Sequence, residues 1–143
     1  MAERTGLFGE KTAGRLPSVP SAKTLGWELL DYKPDENLIR VAFLAKPEFL
    51  NAFGSVQGGF LAAMLDDTMA AGLFATLSPG EVSPMLELKV NFLRPVKAGR
   101  LVCEGHIVHR GGGTAFLEGS LRDAEGKLCT TATATVRILK VDK

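Results

Sequence analysis

The chain has 143 residues, of which 45% are hydrophobic and 23% are charged, and its formal net charge is +1. This length and composition are typical of one globular domain with its own core. A net charge so close to zero gives no reason to expect nucleic acid or a membrane surface as a partner. Residues 1–21 lack the apolar segment of a signal peptide, and Cys103 and Cys129 show no metal-ligand spacing. We therefore expect a cytoplasmic protein whose two thiols are reduced and buried.

The first half of the chain predicts a hairpin followed by one long helix. Residues 1–23 mix glycine, proline, serine and charge, and are predicted to form an arm, irregular or a short helix, ahead of a domain over residues 24–141. Alternating residues at 25–32 and 38–45 predict two strands joined by a turn. A loop then leads into a helix from Gly58 to about Thr76. This helix is apolar on almost every side, which predicts that it is buried.

After the helix the hydrophobic period changes to two. Four further strands are predicted at 86–92, 101–110, 115–122 and 128–140, with glycine-rich or charged turns between them. A helix that is apolar all round can be covered only if the sheet curves around it. The predicted fold is therefore α+β, with the long central helix wrapped by a curved antiparallel sheet of five to six strands. His106 and His109 lie three apart on one strand, so we expect them on opposite faces and predict no metal site.

Two acidic residues, Asp66 and Asp67, lie in the middle of the apolar helix. An ionised carboxylate is costly there unless it is paired, hydrogen-bonded or at a cleft. Asp66 follows Gly59 by two helical turns and shares its face, whereas Asp67 points about 100° away. The two acids are therefore not expected to share a proton. Asp66 is the candidate functional acid, and the alternative is that either acid caps a loop or pairs with a basic side chain.

Three stretches carry a resemblance to a known family. Residues 51–66 read Asn-x5-Gln-Gly-Gly-x6-Asp, residues 91–95 read Asn-Phe-Leu-Arg-Pro, and residues 110–114 read Arg-Gly-Gly-Gly-Thr. With the spacing of the strands, the chain resembles the PaaI-like acyl-CoA thioesterases over roughly residues 25–139, which implies a single hotdog domain. The family pattern has histidine where this chain has Gln57. Glutamine can hydrogen-bond there but cannot titrate near neutral pH.

The resemblance implies a separate role for each of several residues in the motif. The N–H of Gly58 would polarise the thioester carbonyl, which agrees with the unpaired N–H groups and positive dipole at a helix start. Gly59 would let the substrate approach closely. Asp66 would act as general base for water or as nucleophile, at a site shared between two subunits. Asn51 would hold a water molecule or the carbonyl, although asparagine also favours turns for its own reasons.

Further residues are candidates for substrate binding. Residues 110–114 resemble the family loop at the nucleotide end of coenzyme A, where successive N–H groups can hold an anion, but an ordinary hairpin turn is equally open. Apolar side chains near the helix could line an acyl pocket or simply belong to the core. The hydroxyl that positions water in some relatives is not clearly present here. The substrate-binding candidates are Gln57, Gly59, Phe60, Met85, Arg110, Gly111, Gly112, Gly113 and Thr114.

The combined interpretation is a thioesterase that hydrolyses aryl- or medium-chain acyl-CoA without a further cofactor, since coenzyme A is part of the substrate. The partner it predicts is a second copy of the chain, as a homodimer or a dimer of dimers, because one small domain can hardly cover a long helix and a free sheet edge. A non-catalytic acyl-CoA-binding protein of the same fold is the alternative. A hydratase or dehydratase is less favoured, because this chain lacks the histidine those enzymes carry in the site loop.

Overall fold

The computed structural model describes residues 19–142. One helix of 17 residues and one six-stranded antiparallel sheet make up most of this range. Single 3-10 turns at Pro34–Glu36 and Pro47–Phe49 lie in the loops. The helices are α1 (Pro20–Leu25) and α2 (Gly58–Phe74), and the strands are β1 (Glu28–Lys33), β2 (Leu38–Ala45), β3 (Glu81–Val82), β4 (Met85–Phe92), β5 (Gly99–Gly111), β6 (Thr114–Arg122), β7 (Leu128–Arg137) and β8 (Leu139–Lys140).

The large sheet has the strand order β1-β2-β5-β6-β7-β4, which leaves β1 and β4 at its edges. Alternate residues of β6 and β7 are buried, as expected for strands with one face against a core, and β2 buries six of its eight residues. Helix α2 lies across that face and contacts β2, β4, β5, β6 and β7. The prediction of one α+β hotdog domain with a long central helix on an antiparallel sheet is confirmed.

Two glycines of the sheet determine how closely α2 can lie. Gly105 of β5 and Gly119 of β6 are directly opposite each other. A Cβ atom at Gly105 would lie 3.3 Å from both the Met69 Cα and the Thr68 backbone oxygen, and one at Gly119 would lie 3.1 Å from a Leu65 methyl group. The helix backbone therefore rests almost directly on the sheet, and larger residues at these two positions would lift it.

The predicted first strand is wrong at its N-terminal end. Residues 20–25 form α1, which begins at Pro20. Proline suits the first turn because the N–H that it lacks would have no partner within the helix there. It ends at Gly26, whose φ of 72° is the left-handed conformation that glycine adopts easily. Strand β1 therefore starts at Glu28 rather than Leu25. The predicted arm over residues 1–23 falls largely outside the described residues, and the boundary at residue 24 stays a prediction.

The predicted last strand is interrupted. Ile138 leaves the ladder and donates its N–H to the Gly113 oxygen at 2.8 Å. The residues after it form β8, which pairs with β3 in a separate two-stranded sheet. A register shift between Ile107 and His109 also corrects the expectation for the histidines. His106 and His109 lie opposite Glu118 and Phe116, two residues apart on the regular strand β6, and therefore share a face.

Among the described residues 19–142, helix α2 is covered on one side only. Met64, Leu65, Thr68 and Leu73 are fully buried against the sheet. The opposite side, which carries Asp66, is partly exposed, so the expectation of burial on every side holds for the sheet-facing half alone. The small residues on this open side are Gly59, Ala62, Ala63 and Ala70.

Three further observations concern residues 19–142. Cys103 and Cys129 are both free and buried, as predicted. No group of three or more His, Cys, Asp or Glu residues within 19–142 could hold a metal ion. None of the helices in that range is long and apolar enough to cross a membrane.

Candidate active site

The start of α2 is fixed by backbone hydrogen bonds in the loop before it. The Val56 N–H donates to the Val96 oxygen and the Gln57 N–H donates to the Phe49 oxygen, both at 2.8 Å. The N–H groups of Gly58 and Gly59 follow in the first helical turn, where helical geometry gives an N–H group no acceptor within the helix. Within residues 19–142 neither of them has a hydrogen-bond acceptor. The structure thus presents two adjacent donors at the positive end of a helix dipole.

The ring of Phe92 lies against Gly58. A Cβ atom at Gly58 would lie only 2.9 Å from the Phe92 Cζ atom, so any other residue would displace the ring. Phe92 is the last residue of β4, and 56% of it is exposed. Sequence reasoning missed this residue as a site residue. Its position in the 91–95 motif and its apolar character at the end of an alternating strand were the available signals.

Asn51 shapes the loop ahead of the helix. Its Oδ1 accepts hydrogen bonds from the Phe53 N–H at 2.9 Å and the Ser55 N–H at 3.2 Å, which is the local bonding that makes asparagine favourable in turns. Its own N–H donates to the Ser55 oxygen at 2.7 Å. The side-chain oxygen of Asn51 is therefore occupied, and its Nδ2 group is the part left to contact a ligand.

A groove of about 540 Å³ opens beside the start of α2. The loop that Asn51 closes forms one wall, with Phe53 94% exposed, and the residues around Phe92 form the other. Its lining is mostly apolar, which suits an organic ligand with a few polar anchors. Its lining includes Asn51, Phe53, Gly58, Phe92, Arg94 and Pro95.

Asp66 lies on the open side of α2, away from this groove. No hydrogen bond or ion pair involves its carboxylate within residues 19–142. Burial raises the pKa of Asp66 above the ordinary value for an aspartate, because partial removal from water disfavours the charged form. Eight residues separate Asp66 from Gly58, which is about 12 Å along a helix axis.

Asp67 faces a different part of the molecule. One of its carboxylate oxygens is shielded from solvent. Its charge is one of the causes that raise the pKa of Cys103, after burial as the main cause, and Cys103 lies on the helix-facing side of β5. Asp66 and Asp67 therefore point in different directions, as helical geometry predicts. Thr68, beside them, is fully buried and donates its hydroxyl to the Met64 oxygen at 2.8 Å.

The hairpin between β5 and β6 lies at the other end of α2. Gly112 and Gly113 have φ values of 61° and 79°, which supply the tight turn. The Arg110 guanidinium donates to the Thr76 oxygen at 3.0 Å, also contacts the Thr76 hydroxyl, and pairs with the Glu81 carboxylate at 3.2 Å. Arg110 thus joins β5 to the segment after the helix, with much of its charge compensated by Glu81.

Apart from Asp66, the sequence-predicted residues fall into two groups within one chain. The helix-entry group lies at the start of α2 and comprises Asn51, Gln57, Gly58, Gly59 and Phe60. The hairpin group comprises Met85 and residues 110–114. Met85 belongs to it because Pro84, just before Met85, accepts a hydrogen bond from the Arg137 N–H, and Arg137 lies opposite Thr114. The 17 residues of α2 separate the two groups by about 25 Å.

Two apolar candidates differ in their surroundings. Phe60 stacks on Phe49 with ring centroids 4.2 Å apart and a 10° angle between the rings, so it holds the loop onto the helix. Met85 starts β4 opposite Val136 and packs against the core. Gln57 is exposed, and its Oε1 lies 3.1 Å from where a Gly59 Cβ would be. The Gln57 amide therefore covers one side of the first helical turn.

Residues 53–130 match the Thioesterase superfamily, and the chain belongs to this family. A phenylacetic acid degradation-related protein of Ralstonia eutropha is 36% identical, with a TM-score of 0.89 over 92% of this chain and 99% of its own. The 1,4-dihydroxy-2-naphthoyl-CoA hydrolase of Listeria monocytogenes is 22% identical over 121 residues, 85% of this chain and 97% of that protein.

The PaaI protein of E. coli, from the phenylacetic acid degradation operon, shares the fold with a TM-score of 0.80 at 19% identity, and the match covers 94% of each chain. Within the superfamily the chain is thus a PaaI-like hotdog protein and a thioester hydrolase. The resemblance inferred from the three motifs is confirmed.

Proposed function

We propose that the protein hydrolyses the thioester of aryl- or medium-chain acyl-CoA to the free acid and coenzyme A. The observation that carries the proposal is the carboxylate of Asp66 on the open side of α2, which has no partner within residues 19–142, as is also true of the Gly58 and Gly59 N–H groups. Such an acid and such donors are what attack on a carbonyl requires.

In this mechanism the Gly58 N–H donates to the thioester oxygen and stabilises the negative charge that develops on it. Asp66 removes a proton from the attacking water, or attacks the carbonyl itself and forms an anhydride that water then opens. The C–S bond breaks as the tetrahedral intermediate collapses, and the coenzyme A thiolate takes up a proton. The Nδ2 group of Asn51 orients the carbonyl or the water.

The geometry favours a site built from two chains. Gly58 and Asp66 of one chain are about 12 Å apart along α2, which is too far for both to act on one carbonyl. Strand β4 has a free edge, and its exposed apolar residues include Leu86 and Phe92. Pairing of two β4 edges about a two-fold axis is antiparallel, so the helix-entry group of one chain would face the hairpin group of its partner.

The substrate class rests on the groove and the relatives. The groove beside Gly58 is mostly apolar and carries two exposed aromatic residues, Phe53 and Phe92. The Listeria monocytogenes relative is a 1,4-dihydroxy-2-naphthoyl-CoA hydrolase, and its substrate is an aryl thioester. Both points support an aryl or medium-chain acyl group over a very long chain.

Thiol release from phenylacetyl-, benzoyl-, hexanoyl- and palmitoyl-CoA tests the activity. We expect Asp66→Asn to lower kcat by about a hundredfold or more, the usual scale for loss of a catalytic group. Asp67→Asn is the matched control, with the same chemical change one residue along the helix, and is expected to keep most of the activity. Binding of acyl-CoA without thiol release by the wild type would favour the non-catalytic alternative.

Mixing two inactive variants tests the shared site. Asp66→Asn and Gly58→Val damage different parts of the machinery. If each site takes Gly58 from one chain and Asp66 from the other, subunit exchange creates one intact site per mixed dimer, and about a quarter of wild-type activity returns. No recovery after verified subunit exchange would place both residues in a site within one chain.

A further inference from the structure

The two edge strands of the large sheet differ in how their charged side chains are used. Strand β1 carries Glu28, Asp31 and Lys33, and each of them makes an ion pair within the chain. Strand β4 carries Glu87 and Lys89. Both are exposed, and neither makes an ion pair within the described part of the chain. The charges of β4 are therefore available to pair with another chain.

The backbone of β4 is also the more regular of the two edges. Its register against β7 shifts before Glu87, and residues 87–92 then pair one to one with β7. In β1 the shift falls in the middle of the strand, between Leu29 and Asp31. A regular edge with unpaired N–H and C=O groups is a template for another strand. Strand β4, rather than β1, is thus the edge suited to a partner strand.

A two-fold axis between two β4 edges determines which residues face each other. Antiparallel pairing about such an axis places one residue opposite its own copy, and the residues on either side of it lie opposite each other's copies. Because β4 spans residues 85–92, the longest overlap has either Leu88 or Lys89 at the axis. Directly opposed residues point to the same face, so both α2 helices lie on one side of the joined sheet.

The charges of β4 distinguish these two registers. With Leu88 at the axis, Glu87 lies opposite the partner's Lys89, and Lys89 lies opposite the partner's Glu87. With Lys89 at the axis, the two lysines face each other and Glu87 faces the partner's Asn91. Opposite charges across an antiparallel pair stabilise it, whereas like charges directly opposite each other destabilise it. The charges therefore favour the register with Leu88 at the axis.

We infer that two copies of this chain pair through their β4 edges with Leu88 on the two-fold axis, held in register by two ion pairs between Glu87 and the partner's Lys89. The inference deepens the proposed function and rests on it for the site shared between two chains. It adds the contacts that select one register of that pairing.

The register also determines what each chain contributes to the other's site. The start of β4, at Met85, lies beside the end of the other β4, at the partner's Asn91 and the partner's Phe92. The Phe92 ring lies against Gly58 of its own chain, at the groove beside the start of α2. Each groove is therefore extended by Met85 from the other chain, which makes this residue a substrate contact across the interface.

Charge reversal tests the register through self-association, measured by sedimentation equilibrium without substrate. Glu87→Lys and Lys89→Glu each turn two attractive pairs into two repulsive ones, so each is expected to raise the dimer dissociation constant about ten- to thirtyfold. An equimolar mixture of the two variants brings opposite charges together again and is expected to dimerise like the wild type, as is the variant with both changes. Glu118→Lys, the same change on an exposed residue of the interior strand β6, is the matched control and should leave association unchanged.

Cysteine cross-linking distinguishes the two registers directly. The Cβ atoms of directly opposed residues lie about 4.5–5.5 Å apart and those of diagonal neighbours about 7–8 Å apart, which is too far for a disulfide. On oxidation, Leu88→Cys is therefore expected to form a covalent dimer about tenfold faster than Lys89→Cys, or more. The native thiols of Cys103 and Cys129 are buried, so the wild type supplies the baseline.

Five results would overturn the inference: a wild type that stays monomeric; single charge variants that associate as tightly as the wild type; an equal loss in Glu118→Lys; a mixture that fails to dimerise; or faster cross-linking of Lys89→Cys than of Leu88→Cys. Recovery in the mixture requires that both variants fold, so a misfolded variant cannot imitate the expected result. A wild type that dimerises in this register but releases no thiol would refute the proposed activity and leave the register standing.

Discussion

The contact between α2 and Gly105 leads to a prediction about both stability and activity. A Cβ atom at Gly105 would lie 3.1 Å from the Ile39 Cγ2, and 3.3 Å from the Met69 Cα and the Thr68 oxygen. Two of these three atoms belong to the backbone of α2, so a rotamer change cannot relieve the contact. In Gly105→Ala the helix must move by a few tenths of an ångström, and Asp66 moves with it.

The expected size follows from two opposing effects. Overpacking a well-packed core costs about 1–3 kcal/mol. Replacing glycine by alanine inside a strand recovers about 0.5–1 kcal/mol of backbone entropy. The net loss is therefore about 1–2 kcal/mol, which for a domain of this size lowers Tm by about 2–8 °C. Displacement of Asp66 is expected to lower kcat/KM about 3- to 10-fold, since small misplacements of reacting groups slow catalysis strongly.

Thermal unfolding and thiol release measured on the same preparation test this reasoning. Gly111→Ala is the matched control for stability, because it lies in the same strand and the nearest atom to its Cβ would be a His109 ring nitrogen at 3.4 Å. Its Tm is expected to stay within about 2 °C of the wild type. A Gly105→Ala protein as stable as the wild type would show that α2 is not held against the sheet at this glycine.

Three further predictions concern single side chains. The acidic limb of kcat/KM is expected above the ordinary pKa of an aspartate, because burial raises the pKa of Asp66 and catalysis needs its ionised form, and Asp66→Asn should abolish that limb. Asn51→Asp keeps the oxygen that bonds the Phe53 and Ser55 N–H groups but loses Nδ2, so it should keep the Tm and lose activity. Asn51→Ala loses both, so it should also lose about 1 kcal/mol of stability. Full activity in Asn51→Asp would show that Asn51 acts only as a turn residue. Burial raises the pKa of Cys103 to about 12, so iodoacetamide should modify this thiol only after unfolding, and rapid labelling of the native protein would contradict its burial.

The hydrophobic period of the sequence was enough to predict most of the fold. Strand β2 was predicted with its observed ends, 38–45, and α2 was predicted from Gly58 with an end two residues too late. The errors lie where a local signal competed with alternation. Leu25 and Trp27 alternate like strand residues, but Pro20 and Gly26 begin and end a helix there. The pairing of β3 with β8 has no local signal, because each strand has two residues and its partner is far away in the sequence.

The candidate site was predictable where motif residues are close in sequence and unpredictable where contacts are distant. Gly58 and Asn51 were identified from one short stretch, and both line the same groove. The bond from Arg110 to Glu81 joins residues 29 apart, and nothing local indicates that this guanidinium is already paired. The ring of Phe92 on Gly58 is likewise a contact between distant elements. Gly58 has an ordinary helical backbone, so the space that the Phe92 ring takes, and not the backbone conformation, is what requires glycine at this position.

The side of α2 that faces away from the sheet collects features that do not stabilise a single chain. Partial burial disfavours the ionised form of Asp66, so its pKa in the folded chain lies above that of an unfolded aspartate. The folded state therefore binds more protons than the unfolded state, and the stability contributed by Asp66 falls as pH rises from the unfolded pKa through the folded one. No partner within residues 19–142 offsets this cost, and the Gly58 and Gly59 N–H groups at the start of the same helix have no acceptor in that range either. Asp66→Asn should then raise Tm at neutral pH but not at acid pH, where both side chains are neutral. A residue that weakens the fold and has no partner among the described residues is best explained by the chemistry it can perform.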